Sequence, residues 1–315
     1  MPEPSAHAAP DEYLKRAQLL VVFATHNGAG WIGRTLEGYA GQRAAVPWAL
    51  VVIDNASTDE TAAILARYRD RLPLIALSEP RPGKNVALNT ALAAIRDVAC
   101  DFVFTDDDAV PEPDFVAQWA DTLARRSDYG LFGGPVMPTF DGIDDTVARR
   151  YGLFHAEIYA LNDRPEGAIE PRHIFGPNMA VAGALIRAGY RFDENIGPSS
   201  ADSSYPMGSE TEFCVRVAER SGAGAWFATG PRVRHIVRSN QATERFVLQR
   251  AFRHGRGFAQ MQVGGADGAW ARTKSAVRLK LLQIAGLTGS THARWNAAWL
   301  KGYRAGRHRK APGRP

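Results

Sequence analysis

Three consecutive carboxylates, Asp106, Asp107 and Asp108, directly follow an apolar run. Carboxylates so close together repel one another, and a nearby cation relieves that repulsion. Oxygen ligands favour Mg²⁺ or Mn²⁺, which also keep phosphate oxygens and water among their ligands. The Asp-x-Asp spacing therefore indicates a divalent-metal site. The structural alternative is an acidic loop that caps a helix start near Pro111 and Pro113.

Two further polar residues stand where a nucleotide could bind. Asp54 ends an apolar run, where its carboxylate can accept a hydrogen bond from a base or a ribose. The polar residues that follow it also suit an ordinary turn and helix cap. Lys84 opens a helical pattern, where a phosphate is favourable. The sequence has no Gly-x-Gly-x-x-Gly or Gly-Lys-Ser/Thr loop, so the signatures of dinucleotide-binding and P-loop proteins are missing.

Glu210, Glu212 and His235 are weaker candidates when each is taken alone. The two glutamates begin a predicted helix, and their attraction to the helix dipole is a sufficient structural reason for them. His235 lies near the end of a short strand-like run, where a single histidine is more often structural than a ligand. These residues therefore depend on their context for a functional interpretation.

The elements that must position these residues follow a regular order in the first part of the chain. Apolar runs predict strands at 19–24, 49–53, 74–77 and 102–105. The spacing of Leu, Ile and Ala predicts helices at 31–42, 59–68 and 84–96. Alternating strands and helices are typical of a parallel doubly wound sheet, whose ligands lie beyond the carboxyl ends of the strands. The polar clusters that begin at Thr25, Asp54 and Asp106 fall at those ends.

The remainder of the chain has a less regular pattern. It predicts strands at 130–136, 173–181 and 233–237. It predicts helices at 146–161, 210–220, 243–263 and 271–283.

The composition fits one large α/β domain or two small ones, because 45% of the 315 residues are hydrophobic and 23% are charged. Two cysteines form no disulfide framework, so a reducing, cytoplasmic environment is the default. The sequence shows no signal-peptide pattern and no run of about 18 uncharged apolar residues. We therefore expect a cytoplasmic protein without a transmembrane helix.

Charge is distributed unevenly along the chain, which has a net charge of +5. Residues 245–315 hold 15 Lys or Arg and one acid, Asp267, whereas the remainder holds 23 basic and 32 acidic residues. Apolar residues interleave with the basic ones at Trp270, Val277, Leu281, Ile284, Leu287, Trp295 and Trp299. This pattern suits a helix on an anionic membrane surface, and a helix packed on the rest of the protein is the alternative. No nucleic-acid motif is present, so we expect no nucleic-acid partner.

Taken together, the clusters resemble the family 2 glycosyltransferases of bacterial type, from about Leu19 to Gln260. The matching pieces occur in the family's order. They are VVFATHN at 21–27, VVIDNASTDET at 51–61, GKNVALN at 83–89, FTDDD at 104–108, GPNMA at 176–180, GYRFDE at 189–194 and GSETEF at 208–213. Each piece is moderately specific, and seven pieces in order are not expected by chance.

The resemblance implies the GT-A fold, which is α/β and Rossmann-like, with a mostly parallel central sheet flanked by helices. Here a helical, basic C-terminal extension would follow it. We expect a flexible N-terminus at 1–17, a GT-A catalytic domain at 18–240 and the helical basic segment at 241–315. The nucleotide-binding half of the domain would occupy about 18–110, and the acceptor half about 111–240.

The resemblance also implies roles for individual residues. Glu210 would be the catalytic base. The residues expected to contact the nucleotide sugar are Thr25, Asn27, Asp54, Lys84, Asp106 and Asp107. The residues expected to hold Mg²⁺ or Mn²⁺ are Asp106, Asp108 and His235. The residues expected to contact the acceptor or the diphosphate are Asn178, Glu212, Arg253 and Arg256.

Two positions depart from the family pattern. The family usually has Glu-Asp where this chain has Ser209-Glu210, so the carboxylate here is carried on a side chain longer by one C–C bond. The family often has Tyr beside the base, where this chain has His26. Proton transfer and base stacking both stay chemically feasible with the residues present.

The resemblance implies an inverting transfer of a sugar from a nucleoside-diphosphate sugar to a hydroxyl group of a glycan or lipid-linked glycan. Cell-surface polysaccharide or glycolipid synthesis would be its setting, with the protein peripheral on the inner face of the cell membrane. One alternative is a nucleotidyltransferase, which would need a Gly-rich loop with Lys or Arg after the first strand. The other is a non-catalytic relative that binds a carbohydrate or a nucleotide.

Overall fold

The computed structural model describes residues 10–261 and 269–307. Its strands are β1 (Leu19–Thr25), β2 (Trp48–Asp54), β3 (Leu74–Ser78), β4 (Asp101–Thr105), β5 (Ala109–Pro111), β6 (Leu131–Gly133), β7 (Val136–Thr139), β8 (Gly167–Ile169), β9 (Asn178–Val181), β10 (Ala225–Phe227) and β11 (Val233–Ile236). Its α-helices are α1 (Pro10–Arg16), α2 (Ile32–Ala40), α3 (Thr61–Tyr68), α4 (Lys84–Ala94), α5 (Phe115–Arg125), α6 (Thr146–Arg150), α7 (His155–Tyr159), α8 (Gly183–Arg187), α9 (Ser209–Ser221), α10 (Glu244–Met261), α11 (Ala269–Leu287) and α12 (Thr291–Arg307). Short 3-10 helices occur at Gly152–Phe154, Pro171–His173 and Ser239–Ala242.

The described residues form two compact units. The first unit contains the described residues up to Thr139, together with Asn162–Glu194 and Glu210–Ile236. The second contains Phe140–Leu161, Asn195–Ser209 and the described residues from Val237 onward. The C-terminal helices thus share a unit with two segments that the sequence assigned to the acceptor half. The functional boundaries at 110 and 240 stay a prediction.

The first unit is organised around a mixed sheet, which within the described residues has eight strands in the order β3-β2-β1-β4-β9-β6-β10-β8. β1 pairs in parallel with β2 and with β4, and β2 pairs in parallel with β3. β9 is antiparallel to both β4 and β6. The strands β1 and β2 are buried on both faces, which explains their continuous apolar sequences. The predicted α/β sheet flanked by helices is confirmed, and α4 packs against β1 and β2.

A second, smaller sheet in the same unit was not predicted. It has the strand order β5-β11-β7, with β11 antiparallel to β5 and parallel to β7. The predicted strand at 130–136 is in fact two strands in different sheets, β6 and β7. Gly134 and Pro135 separate them, and proline has no N–H to donate to a ladder. The predicted extended segment at 173–181 is a strand only over β9.

The predicted long helix at 146–161 is also wrong. The chain instead forms α6, a 3-10 turn and α7, and Ala160 ends this segment in the left-handed conformation with φ 58°. Gly152 lies at the break, where its low helix propensity favours an interruption. The helices predicted at 210–220, 243–263 and 271–283 are present as α9, α10 and α11, with some shifted ends. Residues 262–263 of the second prediction lie outside the described residues.

The second unit has a hydrophobic core of its own. Its buried members are Ala148, Tyr151, Ile158, Tyr159, Val237, Val247, Ala251 and Trp295. The Trp295 ring stacks on Phe154, with 4.6 Å between ring centroids. Trp295 is therefore a core residue, and its predicted place in a membrane-facing stripe is wrong. The side chain of Trp270 lies outside the described part of the chain.

Glycines let α10 and α12 approach each other closely. A Cβ atom at Gly255 would lie 2.7 Å from the backbone nitrogen of Tyr303, and one at Gly302 would lie 2.7 Å from the carbonyl carbon of Phe252. Backbone atoms cannot yield to such contacts, so only glycine fits at these two positions. Across residues 10–261 and 269–307, no helix combines the length and apolar character needed to cross a membrane.

Candidate active site

Polar side chains of the first unit meet at the carboxyl ends of its parallel strands. Thr25 at the end of β1 pairs in register with Asp54 at the end of β2, and Asp106 directly follows β4, the other neighbour of β1. Because parallel strands bring their carboxyl ends to one edge of the sheet, residues distant in sequence become neighbours here. The predicted grouping of the polar clusters at one edge is therefore present in the fold.

Asp106, Asp108 and His235 form the group with the geometry of a metal site. One donor atom from each residue lies within 4.8 Å of the others, and Asp108 and His235 are buried. The small sheet brings His235 to this place, because Ala109 pairs with His235 across β5 and β11. The His235 Nε2 atom is 3.2 Å from Asp108 Oδ1. Two carboxylates and an imidazole suit a divalent metal such as Mn²⁺ or Mg²⁺.

Two threonine hydroxyl groups hold Asp107, the middle residue of the trio. Thr25 Oγ1 donates to Asp107 Oδ2 at 2.6 Å, and Thr35 Oγ1 donates to the backbone carbonyl of Asp107 at 2.8 Å. Burial, together with the neighbouring Asp108 carboxylate, raises the pKa of Asp107 above its ordinary value. Gly28 leaves room for this arrangement, since a Cβ atom there would lie 2.9 Å from Asp107 Oδ2.

Lys84 contacts both Asp106, of the candidate metal group, and Glu210, the predicted base. Its Nζ atom lies 2.6 Å from Asp106 Oδ1 and 2.7 Å from Glu210 Oε1, and all three side chains are mostly shielded from solvent. Burial disfavours the charged ammonium, but the carboxylates of Asp106 and Glu210 outweigh this cost and raise the pKa of Lys84 above its ordinary value. The aspartate trio and Glu210 therefore share one cleft.

Comparison with known proteins agrees with this geometry. The family described as "Glycosyl transferase family 2" matches residues 20–179, about half of the chain. The chain belongs to glycosyl transferase family 2. The match begins in β1 and ends in β9, so it includes Asp54, Lys84 and the aspartate trio. The resemblance seen in the sequence motifs is confirmed.

Individual relatives of this family 2 protein support the same fold. A mannosyltransferase from Pyrobaculum calidifontis, solved in complex with GDP-Man and Mn²⁺, superposes with a TM-score of 0.61 at 21% identity and covers 95% of this chain and 92% of its own. S. aureus TarS in complex with UDP-GlcNAc gives a TM-score of 0.54 at 15% identity and covers 92% and 90%. These likenesses confirm the predicted GT-A fold.

A curated relative, the glucosyl-dolichyl phosphate glucuronosyltransferase of Haloferax volcanii, is 26% identical over 155 residues. That alignment covers 48% of this chain and 47% of the relative. The chain spans about half the length of the curated relatives it matches.

Gly176 has a role in the family 2 site that the sequence pattern did not reveal. It directly precedes Pro177 in one of the matching motifs, and the motif gave no reason for a glycine there. A Cβ atom at Gly176 would lie 2.7 Å from Cδ and 2.9 Å from Cγ of Glu210. No positive φ is involved, so the requirement is for space beside the carboxylate. Because Gly176 has no side chain, Glu210 can occupy its position next to Lys84.

We expect Gly176→Ala to lower the turnover number of sugar transfer by about 100-fold, because displacing a reacting group by about 1 Å has that effect. The added methyl group would push the Glu210 carboxylate away from its position. Metal-dependent binding of the nucleotide sugar should persist, since the aspartate trio is untouched. Steady-state kinetics and calorimetry on the same preparation measure the two quantities.

The control for that substitution is Gly33→Ala, because a Cβ atom at Gly33 would meet nothing within 4 Å. This control should keep native turnover, and its thermal stability should be native or higher because Gly33 lies in α2, where alanine is the better helix former. Native turnover in Gly176→Ala would refute the positioning role of Gly176.

Asn55 organises the loop that leads to Lys84. Its amide nitrogen donates to the carbonyl oxygens of Glu79 and Arg81, and its amide oxygen accepts from the backbone N–H of Gly83. Sequence reasoning saw Asn55 as an ordinary turn residue. The burial of Asn55 is what indicates its role, because a buried Asn normally has several hydrogen-bond partners. Burial cannot be read from a single sequence.

Glu79 fixes the other side of the same loop and was also missed. Its carboxylate accepts hydrogen bonds from the Arg81 guanidinium and from Thr90 Oγ1. These bonds to Arg81 and Thr90 hold the pKa of Glu79 near 2, against the effect of its burial. The loop that precedes Lys84 is therefore held by a side chain at each end.

Asn27 and Asp54, two of the predicted nucleotide contacts, stabilise turns at the sheet edge. Asn27 has a φ of 51°, and its side-chain oxygen accepts from the backbone N–H of Thr58. Asp54 Oδ1 accepts from the backbone N–H of Ser57 at 3.2 Å. Both residues lie beside the ends of β1 and β2, where the nucleotide was predicted, and their contact with it stays a prediction.

Asn178 and Glu212 are engaged inside the first unit. Asn178 is fully buried: its amide nitrogen donates to Pro135 and Pro231, and its amide oxygen accepts from Trp119 Nε1. Glu212 is buried and forms an ion pair with Arg216 at 2.6 Å. Both side chains thus have internal partners, and their predicted contact with the acceptor or the diphosphate stays a prediction.

Arg253 and Arg256 belong to the second unit and hold one of its loops. Arg253 donates to the carbonyl oxygen of Ser203 and lies over the ring of Tyr205. The buried Arg256 contacts Asp202 at 3.2 Å and Ser204 Oγ at 2.7 Å. These contacts fix residues 202–205, and the predicted contact of both arginines with the acceptor or diphosphate stays a prediction.

Proposed function

We propose that the protein is a metal-dependent, inverting glycosyltransferase that moves a sugar from a nucleoside-diphosphate sugar to an acceptor hydroxyl. The observation that carries the proposal is the contact of both Glu210 and Asp106 with the Lys84 ammonium, at 2.7 and 2.6 Å. Lys84 thus links a carboxylate that could take a proton, Glu210, to the group of residues that suits a metal. Sugar transfer needs both functions in the same cleft.

The residues of the cleft divide the chemistry between them. Asp106, Asp108 and His235 would hold the divalent metal, which when bound supplies Lewis-acid stabilisation of the charge on the departing diphosphate. Glu210 would accept the proton of the acceptor hydroxyl at its carboxylate as that oxygen attacks the anomeric carbon. Lys84 donates a hydrogen bond to the Glu210 carboxylate and so fixes its position. Attack opposite to the leaving group inverts the anomeric configuration.

Donor binding is assigned to the strand ends. Thr25, Asn27 and Asp54 offer polar atoms beside the carboxyl ends of β1 and β2, where a base and ribose would lie. GDP-Man and UDP-GlcNAc, which the two solved relatives bind, support a nucleoside-diphosphate sugar as the donor. The glucosyl-dolichyl phosphate named for the curated relative supports a glycan or lipid-linked glycan as the acceptor, and with it a role in cell-surface polysaccharide or glycolipid synthesis at the cytoplasmic face of the membrane.

A panel of UDP-, GDP- and dTDP-sugars, each tested with and without Mn²⁺, examines this function. We expect one donor to raise the melting temperature only when the metal is present, and the same donor to be converted to nucleoside diphosphate. Release of sugar 1-phosphate would identify attack at the α-phosphorus and hence a nucleotidyltransferase. Binding of a donor without any turnover, with every acceptor class tested, would identify a non-catalytic relative.

A further inference from the structure

The second unit exposes a row of large apolar side chains on α11. The exposed fractions are 54% for Val277, 62% for Leu281, 63% for Ile284 and 87% for Leu287. Successive members are separated by four, three and three residues, so they lie along one side of the helix. Four large aliphatic side chains on one helix face form a contiguous apolar surface, which marks an interaction site more often than chance exposure.

A groove of about 760 Å³ lies beside this face, between α10, α11 and α12 of the same unit. Its lining is mainly apolar and includes Leu248, Phe252, Leu282, Ala297 and Ala298. Arg245 and Lys301 also line the groove, and both are exposed. An apolar cleft with cationic side chains at its margin is suited to a molecule that has an apolar part and an anionic part.

Basic residues also flank the apolar row itself. Arg278 and Lys280 are exposed on α11; because each residue turns the helix by about 100°, Arg278 lies to one side of the row and Lys280 lies on the side of Ile284 and Leu287. Residues 245–315 hold 15 Lys or Arg and one acid. Two copies of this face would bring like charges together, which disfavours self-association through it. The complementary surface is one that is both anionic and able to accept apolar side chains.

We propose that this surface, the α11 face with the adjoining groove, docks the protein on an anionic lipid bilayer. Val277, Leu281, Ile284 and Leu287 enter the boundary between headgroups and acyl chains. Arg278, Lys280, Arg245 and Lys301 lie among the anionic headgroups, as in helices that rest in the membrane interface. This attachment does not depend on the proposed sugar transfer, because no residue of the cleft takes part in it.

Sedimentation with phospholipid vesicles tests the docking surface. The full chain should sediment with vesicles of 70% phosphatidylcholine and 30% phosphatidylglycerol at 50 mM NaCl, and binding should weaken strongly at 500 mM NaCl because salt screens the charged contribution. Vesicles of phosphatidylcholine alone should bind far less protein. The double variant Arg278→Glu/Lys280→Glu should reduce the partition coefficient by at least about 30-fold. The reason is that each basic residue near the membrane surface strengthens binding by a factor of roughly five.

A second variant addresses the apolar contribution. Leu281→Ser/Ile284→Ser should also release the protein from anionic vesicles, and it should do so at both salt concentrations. Two controls match these variants: Leu153→Ser removes an exposed leucine of the same unit that lies outside the face, and Arg67→Glu/Arg69→Glu makes the same charge change at the C-terminal end of α3. Both controls should sediment as the native chain does. Circular dichroism should show native helix content for all four variants.

The proposal is overturned if the native chain fails to bind anionic vesicles at 50 mM NaCl. It is also overturned if the Leu281→Ser/Ile284→Ser variant binds as tightly as the native chain. A dimer that this variant abolishes, in the absence of vesicle binding, would assign the face to a second copy. Tight binding of RNA with no vesicle binding would assign the basic residues to nucleic acid. Donor-sugar binding is measured in the same variants, and its outcome bears only on the proposed transfer.

Discussion

Replacing Glu210 by glutamine is expected to lower the rate of sugar transfer by about 10²–10⁴-fold, the usual contribution of a general base. The amide keeps the shape of the side chain, and its oxygen can still accept a hydrogen bond from Lys84. It cannot take a proton from the acceptor hydroxyl. Metal-dependent binding of the nucleotide sugar should therefore stay close to the native affinity. Single-turnover kinetics and calorimetry separate the two effects.

The control for that experiment is Glu219→Gln, which removes an exposed carboxylate from the same helix, α9. It should leave both rate and affinity unchanged. Glu210→Asp gives an intermediate test, because it keeps the carboxylate but shortens the side chain by one C–C bond, and we expect a rate between those of the native protein and Glu210→Gln. Undiminished turnover in Glu210→Gln would reject Glu210 as the base.

The second large effect is expected at Asp108. Its replacement by asparagine keeps the volume of the side chain but removes the charge that faces His235 at 3.2 Å. Loss of a ligand should weaken the metal-dependent part of donor affinity by more than the 10–100-fold typical of supporting residues around a metal. Calorimetric titration of the nucleoside-diphosphate sugar, with Mn²⁺ and with a chelator, measures that part directly.

Asp128→Asn serves as the control, because Asp128 is an exposed carboxylate in a loop of the same unit. In this control, the difference in donor affinity between the titrations with Mn²⁺ and with chelator should equal that of the native protein. His235→Gln should reduce the difference in the same direction as Asp108→Asn. If Asp108→Asn retained the full native difference, the assignment of the metal to this trio would be wrong.

The part of the fold that the sequence predicted correctly is the part in which neighbouring elements are consecutive. β1 pairs with β2, and β2 with β3, each across a single connecting helix, and β4 adds to the other edge of β1. β1 and β2 carry continuous buried apolar runs. Their polar ends could therefore be assigned to one edge of a sheet by general rules of α/β topology. The aspartate trio and Asp54 were recognised for that reason.

The remainder of the site depends on contacts between distant residues, which local patterns do not encode. Lys84 and Glu210 are separated by 126 positions, and β9, far from β4 in the chain, enters the sheet antiparallel beside it. β5 and β10 are only three residues long, too short for any periodic pattern. The space at Gly176 is required by the Glu210 side chain, 34 positions away in sequence. No motif indicates this contact.

The strand pairing between β5 and β11 has a consequence for how the protein would lose function on heating. Side chains alternate between the two faces of a strand, so shifting β11 by one position would turn the imidazole of His235 away from Asp108 and offer Arg234 or Ile236 in its place. A guanidinium would neutralise the carboxylates, and an isoleucine would leave them without a donor partner. The three short strands thus fix the position of His235, and loosening them would disrupt the proposed metal site while the larger sheet was still intact.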